Sequence, residues 1–334
     1  MTGAGRPRAA PPNVARPPSL APPSLDAQMT YGITGNTSKD ALWAPVAALT
    51  RWLHRKGLAF ALHPDVADGL VARGLADDAV ASEYGAADLA GAVDVLLSFG
   101  GDGTLLRSAH RADGTPILGV NIGRLGFLTK AEVSEVEGAI EAIEAGASGV
   151  EERMTLDVRV EGAETTGGGA AGSGAAALAD VPAWALNDVV IDKSGTTSMI
   201  QVEAAVDGTH LNTYWADGLV VATPTGSTAY ALSVGGPILV PGTDVVVVAP
   251  IAPHTLTARP IVLPCDAELV LRVETRGHPF AFAVDGVSTL LDGGGDVVVR
   301  VRRSDHAVRL VTLPDRDYFS TIREKLSWGQ AGVF

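Results

Sequence analysis

A chain of 334 residues with 46% hydrophobic content has ample material for a core and, by length, for two domains. Its formal net charge of −13 excludes a general nucleic-acid-binding surface, and its single cysteine, Cys265, excludes an intrachain disulfide and a cysteine-based zinc site. No apolar run approaches the ~20 residues that span a bilayer, so neither a membrane nor a nucleic acid is an expected partner, and the cytoplasm is the expected location.

Residues 1–28 are rich in Pro, Ala and Arg. They lack the continuous apolar stretch of a secretory signal, and their prolines block an amphipathic helix, so a disordered tail is expected there. Order is expected from Met29. Residues 30–33 read as a strand closed by Gly35-Asn36-Thr37. Residues 40–56 space Leu42, Val46, Leu49 and Leu53 along one helical face. Residues 58–62 read as a second strand. Residues 93–99 and 117–120 are short apolar runs, as in strands buried on both faces. Residues 105–112 and 132–145 read as helices. This alternation predicts a Rossmann-like parallel α/β domain over residues 29–150.

After Met154 the texture changes. Residues 156–160, 185–191, 200–206, 219–222, 245–248, 268–273, 280–284 and 297–301 read as strands, with Asp207-Gly208 and Asp285-Gly286 as turns. A mostly-β, sandwich-like domain is expected over residues 151–315, interrupted by a flexible Gly/Ala-rich loop at 161–179. In the C-terminal tail, 316–334, residues 318–328 form an amphipathic helical pattern. Phe319, Ile322 and Leu326 are available there to dock back onto the protein.

Four segments carry chemistry. Ser98-Phe99-Gly100-Gly101-Asp102-Gly103-Thr104 runs from a strand into a helix. Glycines there let a ligand approach the main chain, and successive N–H groups at a helix N-terminus form a nest for phosphate. The aspartate adds one carboxylate beside the nest, a combination suited to phosphoryl transfer onto a hydroxyl. Such a turn alone is as often an ordinary strand-to-helix connection. The second segment, Gly119 to Leu128, leaves a strand with three glycines and Arg124. The third, Asn187-Asp188, enters an apolar strand and suits sugar hydroxyls. The fourth is Asp217-Gly218 through Thr223-Pro224-Thr225-Gly226-Ser227-Thr228-Ala229-Tyr230 to Ser233, followed by Gly235-Gly236-Pro237. It gathers hydroxyls and backbone donors at a strand end, as a polyhydroxylated, phosphorylated ligand requires. The histidines, His254 and His278 among them, lack sequence partners for a triad or a metal site.

Together these segments, in this order and approximate spacing, resemble the NAD kinase family over about residues 29–330. The Asp285-Gly286 pair and the run from Tyr318-Phe319-Ser320-Thr321 to Lys325-Leu326-Ser327-Trp328 add to the likeness. The resemblance implies transfer of phosphate from ATP to the 2′-hydroxyl of the adenosine ribose of NAD, with Mg²⁺ or another divalent cation accompanying ATP. It implies that Asp102 accepts the hydroxyl proton, and that Gly100, Gly101 and Gly103 offer N–H groups to the phosphates, with Arg107 beside them. It further implies that Asn187 and Asp188 bind the adenosine part and that Phe127 packs near the base. Asp217, Thr228, Ala229, Tyr230, Ser233 and Ala252 would line the rest of the site. A homo-oligomer, dimer or tetramer, is implied as well. Two positions depart from the family pattern: Asp188 stands where many members carry Glu, and Trp215 where many carry a basic residue.

Two other classes share parts of the pattern. A lipid or other hydroxyl kinase can carry the Gly-Gly-Asp-Gly turn, but the Thr-Pro-Thr-Gly-Ser-Thr-Ala-Tyr segment and the lack of a basic amphipathic membrane helix argue against it. A dinucleotide-sensing module would bind without turnover and has no need of Asp102. A Rossmann dehydrogenase is disfavoured because no Gly-x-Gly-x-x-Gly follows the first strand.

Overall fold

The structure is a computed structural model that describes residues 29–76, 89–123, 126–162, 178–314 and 316–328. The expected tail at 1–28, Arg124 and most of the Gly/Ala-rich loop lie outside the described residues.

The first half alternates strands and helices: β1 (Thr30–Gly35), α1 (Trp43–Lys56), β2 (Ala59–Leu62), α2 (Pro64–Ala72), β3 (Val95–Gly100), α3 (Asp102–Ala109), β4 (Ile117–Asn121), β5 (Ala131–Glu132) and α4 (Val136–Glu144). Helix α1 buries Val46, Leu49 and Leu53 and ends at Gly57, whose left-handed φ of 70° permits the C-terminal turn. Helix α2 was not expected from the periodicity. It begins on Pro64, where a missing N–H costs nothing, and His63 Nδ1 accepts the Asp65 N–H. Every residue of β3 and β4 is buried, as their apolar runs predict. Strands β2, β1, β3 and β4 pair in parallel in that spatial order. Gly35 lies opposite Phe99, and Gly100 opposite Asn121, so the loops leaving β1, β3 and β4 share one edge of the sheet. That edge is where ligands bind in open parallel sheets.

The second half is β6 (Gly149–Glu161), β7 (Trp184–Ala185), β8 (Asp188–Lys193), β9 (Ile200–Val206), β10 (Thr209–Ala216), β11 (Gly218–Ala222), α5 (Tyr230–Ser233), β12 (Val245–Ile251), β13 (Ile261–Pro264), β14 (Leu269–Glu274), β15 (Phe280–Val284), β16 (Val287–Leu291), β17 (Val297–Thr312) and α6 (Tyr318–Lys325). Among the described residues a six-stranded antiparallel sheet runs β13-β12-β11-β8-β15-β16. It faces strands of a larger sheet across a core built from both, with Val189, Ile191, Phe280 and Phe282 from one and Val202, Leu271 and Val299 from the other. This is the sandwich that the alternating strands predict.

The two halves are nevertheless one sheet on one side. Strand β17 was expected to end at residue 301, but it continues to Thr312. It pairs antiparallel with β6 along its length, and Leu310 pairs in parallel with Ile117 of β4. The larger sheet therefore follows β10-β9-β14-β17-β4-β3-β1-β2. The register breaks between Arg303 and Ala307, and this charged stretch hides the strand's second half from periodicity. Helix α6 is capped by Asp317, whose side chain accepts the Ser320 N–H, and it buries Ile322. Tyr318 O–H donates to the Leu239 carbonyl at 3.2 Å. Phe319, expected to dock, is exposed instead.

Candidate active site

Asp102 is the first residue of α3, and Gly101 is its N-cap. The Phe127 and Leu128 N–H groups donate to its Oδ2 and Oδ1 at 2.8 and 3.0 Å. A Cβ added at Gly126 would overlap that carboxylate, so the loop after β4 closes on Asp102 only because residue 126 is glycine. Gly101 and Gly103 are different. Among the described residues an added Cβ at either would meet nothing within 4 Å. The protein does not need glycine there for packing, and the open space lies at a helix N-terminus, where N–H groups and the helix dipole favour an anion. On the same edge, a cavity of about 520 Å³ is lined by Gly35, Asn36, His63, Thr104, Arg107 and Arg111. Arg107 is exposed, and its Nη2 lies 3.4 Å from Thr104 Oγ1.

The second group of residues gathers around the start of β8. Asn187 and Asp188 are both buried. Among the described residues Asn187 Oδ1 has no hydrogen-bond partner, an unmet acceptor that a ligand hydroxyl or amine can satisfy. The Asn187 carbonyl accepts the Thr223 N–H at 2.9 Å, and a Cβ on Gly226 would run into the Asn187 backbone. The Thr-Pro-Thr-Gly turn therefore lies directly on this strand end. Burial, and then the neighbouring Asp285 carboxylate, push the Asp188 carboxyl up to about 7, while the Tyr230 N–H pulls it down. Asp188 and Asp192 share one face of β8, the face that α5 covers. Burial and the carboxylates of Asp192, Asp188 and Asp217 raise the Tyr230 phenol. Thr228 and Ala229 are half-buried, while Tyr230, Ser233 and Ala252 are exposed. Ala252 follows Ile251, whose carbonyl accepts the Asp217 N–H at 2.9 Å.

The structure thus sorts the expected site residues into two groups. Gly100, Gly101, Asp102, Gly103, Arg107 and Phe127 stand on the parallel half. Asn187, Asp188, Asp217, Thr228, Ala229, Tyr230, Ser233 and Ala252 stand on the antiparallel sheet and its turns. One apolar cluster joins them: Leu105 and Ala109 of α3, Leu128 and Leu186 pack together. Beside Trp215, Lys193 Nζ lies 2.6 Å from Asp217 Oδ1.

The sequence marks Asp285-Gly286 as a turn and as part of the family likeness, with no role for the Asp285 side chain. Its φ of 50° and the 81° of Gly286 do form the tight β15–β16 hairpin. Its buried carboxylate also accepts the N–H groups of Leu186, Asn187 and Asp188 at 2.8, 2.7 and 3.2 Å. The pairing of that motif with Asn187-Asp188 in one chain was the available signal. Behind Asp102, Lys130 and Arg153 are buried cations. Burial, and then Arg153, lower the Lys130 amine, while Glu151, Asp102 and Asp317 partly restore it. Among the described residues no group of three or more His, Cys, Asp or Glu could hold a metal ion, and no helix is long and apolar enough to cross a membrane.

The family model of the ATP-NAD kinase N-terminal domain matches residues 32–148, and that of the C-terminal domain matches residues 186–313. The chain is 42% identical to the NAD kinase of Bacteroides fragilis over 238 residues, 71% of this chain and 77% of that one. It is 38% identical to the NAD kinase of Symbiobacterium thermophilum over 306 residues, 89% and 98% of the two chains. Its fold matches that of yeast NADH kinase, solved with NADH, at a TM-score of 0.73 and 21% identity, covering 95% of this chain and 96% of that one. An Archaeoglobus fulgidus NAD kinase solved with ATP matches at a TM-score of 0.64 and 23% identity, covering 90% and 99%. With both family domains matched in order across its two halves, the chain belongs to the NAD kinase family of phosphotransferases.

Proposed function

We propose that the chain transfers the γ-phosphoryl group of ATP to the 2′-hydroxyl of the adenosine ribose of NAD, giving NADP and ADP. The observation that carries the proposal is Asp102. It stands in the first turn of a helix between two open glycine positions, fixed by two backbone N–H groups of the neighbouring loop. Each carboxylate oxygen keeps a lone pair beyond the one its backbone donor uses. In the proposed step the ribose oxygen bonds to the γ-phosphorus, the β–γ bridging bond breaks, ADP leaves, and Asp102 takes the hydroxyl proton. Most of the acceleration falls to positioning and charge neutralisation, because phosphoryl transfer has a loose transition state.

The nest at Gly100, Gly101 and Gly103 and the guanidinium of Arg107 serve the donor phosphates. Asn187 and Asp188 serve the adenosine ribose and base of the acceptor, with Phe127 near the base. Asp217, Thr228, Ala229, Tyr230, Ser233 and Ala252 serve the remainder. The divalent cation, Mg²⁺ in the first instance, enters as part of the nucleotide substrate, held by phosphate oxygens and water. The exposed Tyr230, Ser233 and Ala252 leave the acceptor side open, and a second copy of the chain covering it, in the cytoplasm, completes the reading.

The test is Asp102→Asn. It should keep the Kd for NAD within a few-fold and lose about 10²–10⁴ in turnover, the range a positioned base contributes. Loss of NAD binding with unchanged kcat would sink the assigned role.

A further inference from the structure

Helix α3 has two functional ends. Asp102 opens it, and His110 closes it as the C-cap. His110 Nε2 lies 2.8 Å from Asp285 Oδ2, across 175 residues of sequence. The same oxygen accepts the Leu186 N–H, and the other oxygen accepts those of Asn187 and Asp188. Among the described residues every other hydrogen-bond partner of this carboxylate is an N–H donor. The imidazole therefore meets an acceptor, and its Nε2 carries the hydrogen. Trp184 stacks on the imidazole with ring centroids 3.9 Å apart, and His306 lies beyond Trp184 at 4.6 Å. The Asp285 side chain is 1% exposed and that of His110 16%. This largely buried contact joins helix α3, which follows β3 of the larger sheet, to the β15–β16 turn of the six-stranded sheet.

We infer that His110 is a positioning residue for the phosphoryl transfer read above: through Asp285 it fixes the strand end carrying Asn187 and Asp188 against the helix that begins at Asp102. The inference rests on that reading of the site. The apolar cluster of Leu105, Ala109, Leu128 and Leu186 also joins the two parts, but apolar contacts have no directional preference and tolerate sliding. A hydrogen bond does not, since it weakens steeply as its angle and distance depart from ideal. The bond from His110 is thus a link that sets register between donor and acceptor halves. Without it, Asp285 Oδ2 keeps only the Leu186 N–H. The three N–H groups that Asp285 organises can then shift as a unit with the hairpin turn. A misplacement of about 1 Å between reacting groups costs on the order of 10²-fold in rate.

The experiment uses the full chain as His110→Leu and His110→Gln, with circular dichroism confirming that each is folded at the assay temperature. Leu fills the space without a donor, and Gln offers an amide N–H near the position of Nε2. His110→Leu should lower kcat by about 10- to 100-fold and raise the KM for NAD several-fold, while the Kd for MgATP stays within two-fold. His110→Gln should recover most of the kcat. Unchanged kcat and KM in folded His110→Leu overturn the inference, as does an equal loss in both variants or an equal weakening toward MgATP and NAD. If the wild-type chain forms NADP, those results overturn the inference alone. If it forms none, the reaction assignment falls and takes the inference with it.

Discussion

Around Asp102 the candidate site is built of backbone: three glycines before and after the aspartate, a fourth at 126, and N–H groups from a helix start and a loop. Around Asp188 it uses buried side chains. Among the described residues Asn187 Oδ1 has no hydrogen-bond partner, burial and then the Asp285 carboxylate raise the Asp188 carboxyl, and a turn residue gathers three main-chain donors. Backbone donors carry no titration and are set by steric room, so binding of the donor phosphates should respond to added volume rather than to pH. The acceptor half should respond to pH and to changes of hydrogen-bonding capacity. The contrast follows from the sheets beneath. A parallel sheet ends in glycine-rich loops before helix N-termini. An antiparallel sheet presents side chains from strand ends and hairpin turns.

The sharpest way to break this contrast is Gly126→Ala. The methyl group overlaps the Asp102 carboxylate, so either the loop or the aspartate must move. Turnover should fall by at least about 10²-fold with the Kd for NAD retained within a few-fold, because Phe127 is the one proposed acceptor contact on the displaced loop and the others stand on the antiparallel sheet and its turns. Calorimetric NAD titration beside a steady-state assay reads both, and near-normal kcat would remove the loop from the catalytic arrangement. Gly103→Ala probes the same half with the opposite effect on folding. Alanine within α3 should stabilise the helix by about 0.5–1 kcal/mol, raising Tm slightly. The KM for ATP should nevertheless rise by about tenfold, because the vacant space is where phosphate approaches. A more stable protein with unchanged KM would mean that the space is merely empty.

How much of this could be read from the chain differs between the halves for the same physical reason. Strands β3 and β4 are buried on both faces, so they stand out as unbroken apolar runs, and the glycines that follow are conspicuous in one dimension. The far part of β17 carries Arg302, Arg303, Asp305 and His306 around a register break, so its alternation is lost. Half of strand β10 is exposed, and its first residues read as polar sequence. At the site, Asp102, Asn187 and Asp188 were legible because each lies inside a short motif. Asp285 was masked by a sufficient local explanation, since Asp-Gly already accounts for a tight hairpin. Its reach to residue 186, and that of His110 to Asp285, are made by the fold and leave no spacing to read. Gly126 was one glycine among three, and only its closeness to Asp102 separates it from the others.

The next prediction turns on Asp188, whose carboxyl is pushed up to about 7 by burial and then by Asp285. Between the ordinary carboxylate range and pH 7 the unfolded chain binds fewer protons at this group than the folded one. Folding stability from this group is therefore present at low pH and falls as pH rises toward 7. Asp188→Asn removes the buried charge and should raise Tm at pH 8 relative to the wild type, with little difference at pH 5. In the assay, kcat/KM for NAD should climb through pH 7 as the carboxylate becomes a pure acceptor for ribose hydroxyls, and the variant should lose that climb. The KM for ATP should show no matching step, and a step of equal size there would erase the distinction between the halves.

The smallest expected effect lies at the rim of the acceptor half. Lys193 and Asp217 are 26% and 32% exposed and form an ion pair at 2.6 Å. A pair this accessible to water contributes on the order of 0–1 kcal/mol, because solvent screens it and two side chains must be ordered to make it. If Lys193 acts only by holding Asp217, Lys193→Met should raise the KM for NAD by no more than about five-fold, the equivalent of 1 kcal/mol, and leave kcat alone. Trp215 stands where a cation was expected, with the Arg276 guanidinium 5.6 Å from its ring centroid, so the rim retains positive charge without Lys193. A tenfold or larger rise would exceed what the ion pair can supply. Lys193 would then have to touch the dinucleotide itself, and the cation absent at residue 215 would have been replaced from the neighbouring strand.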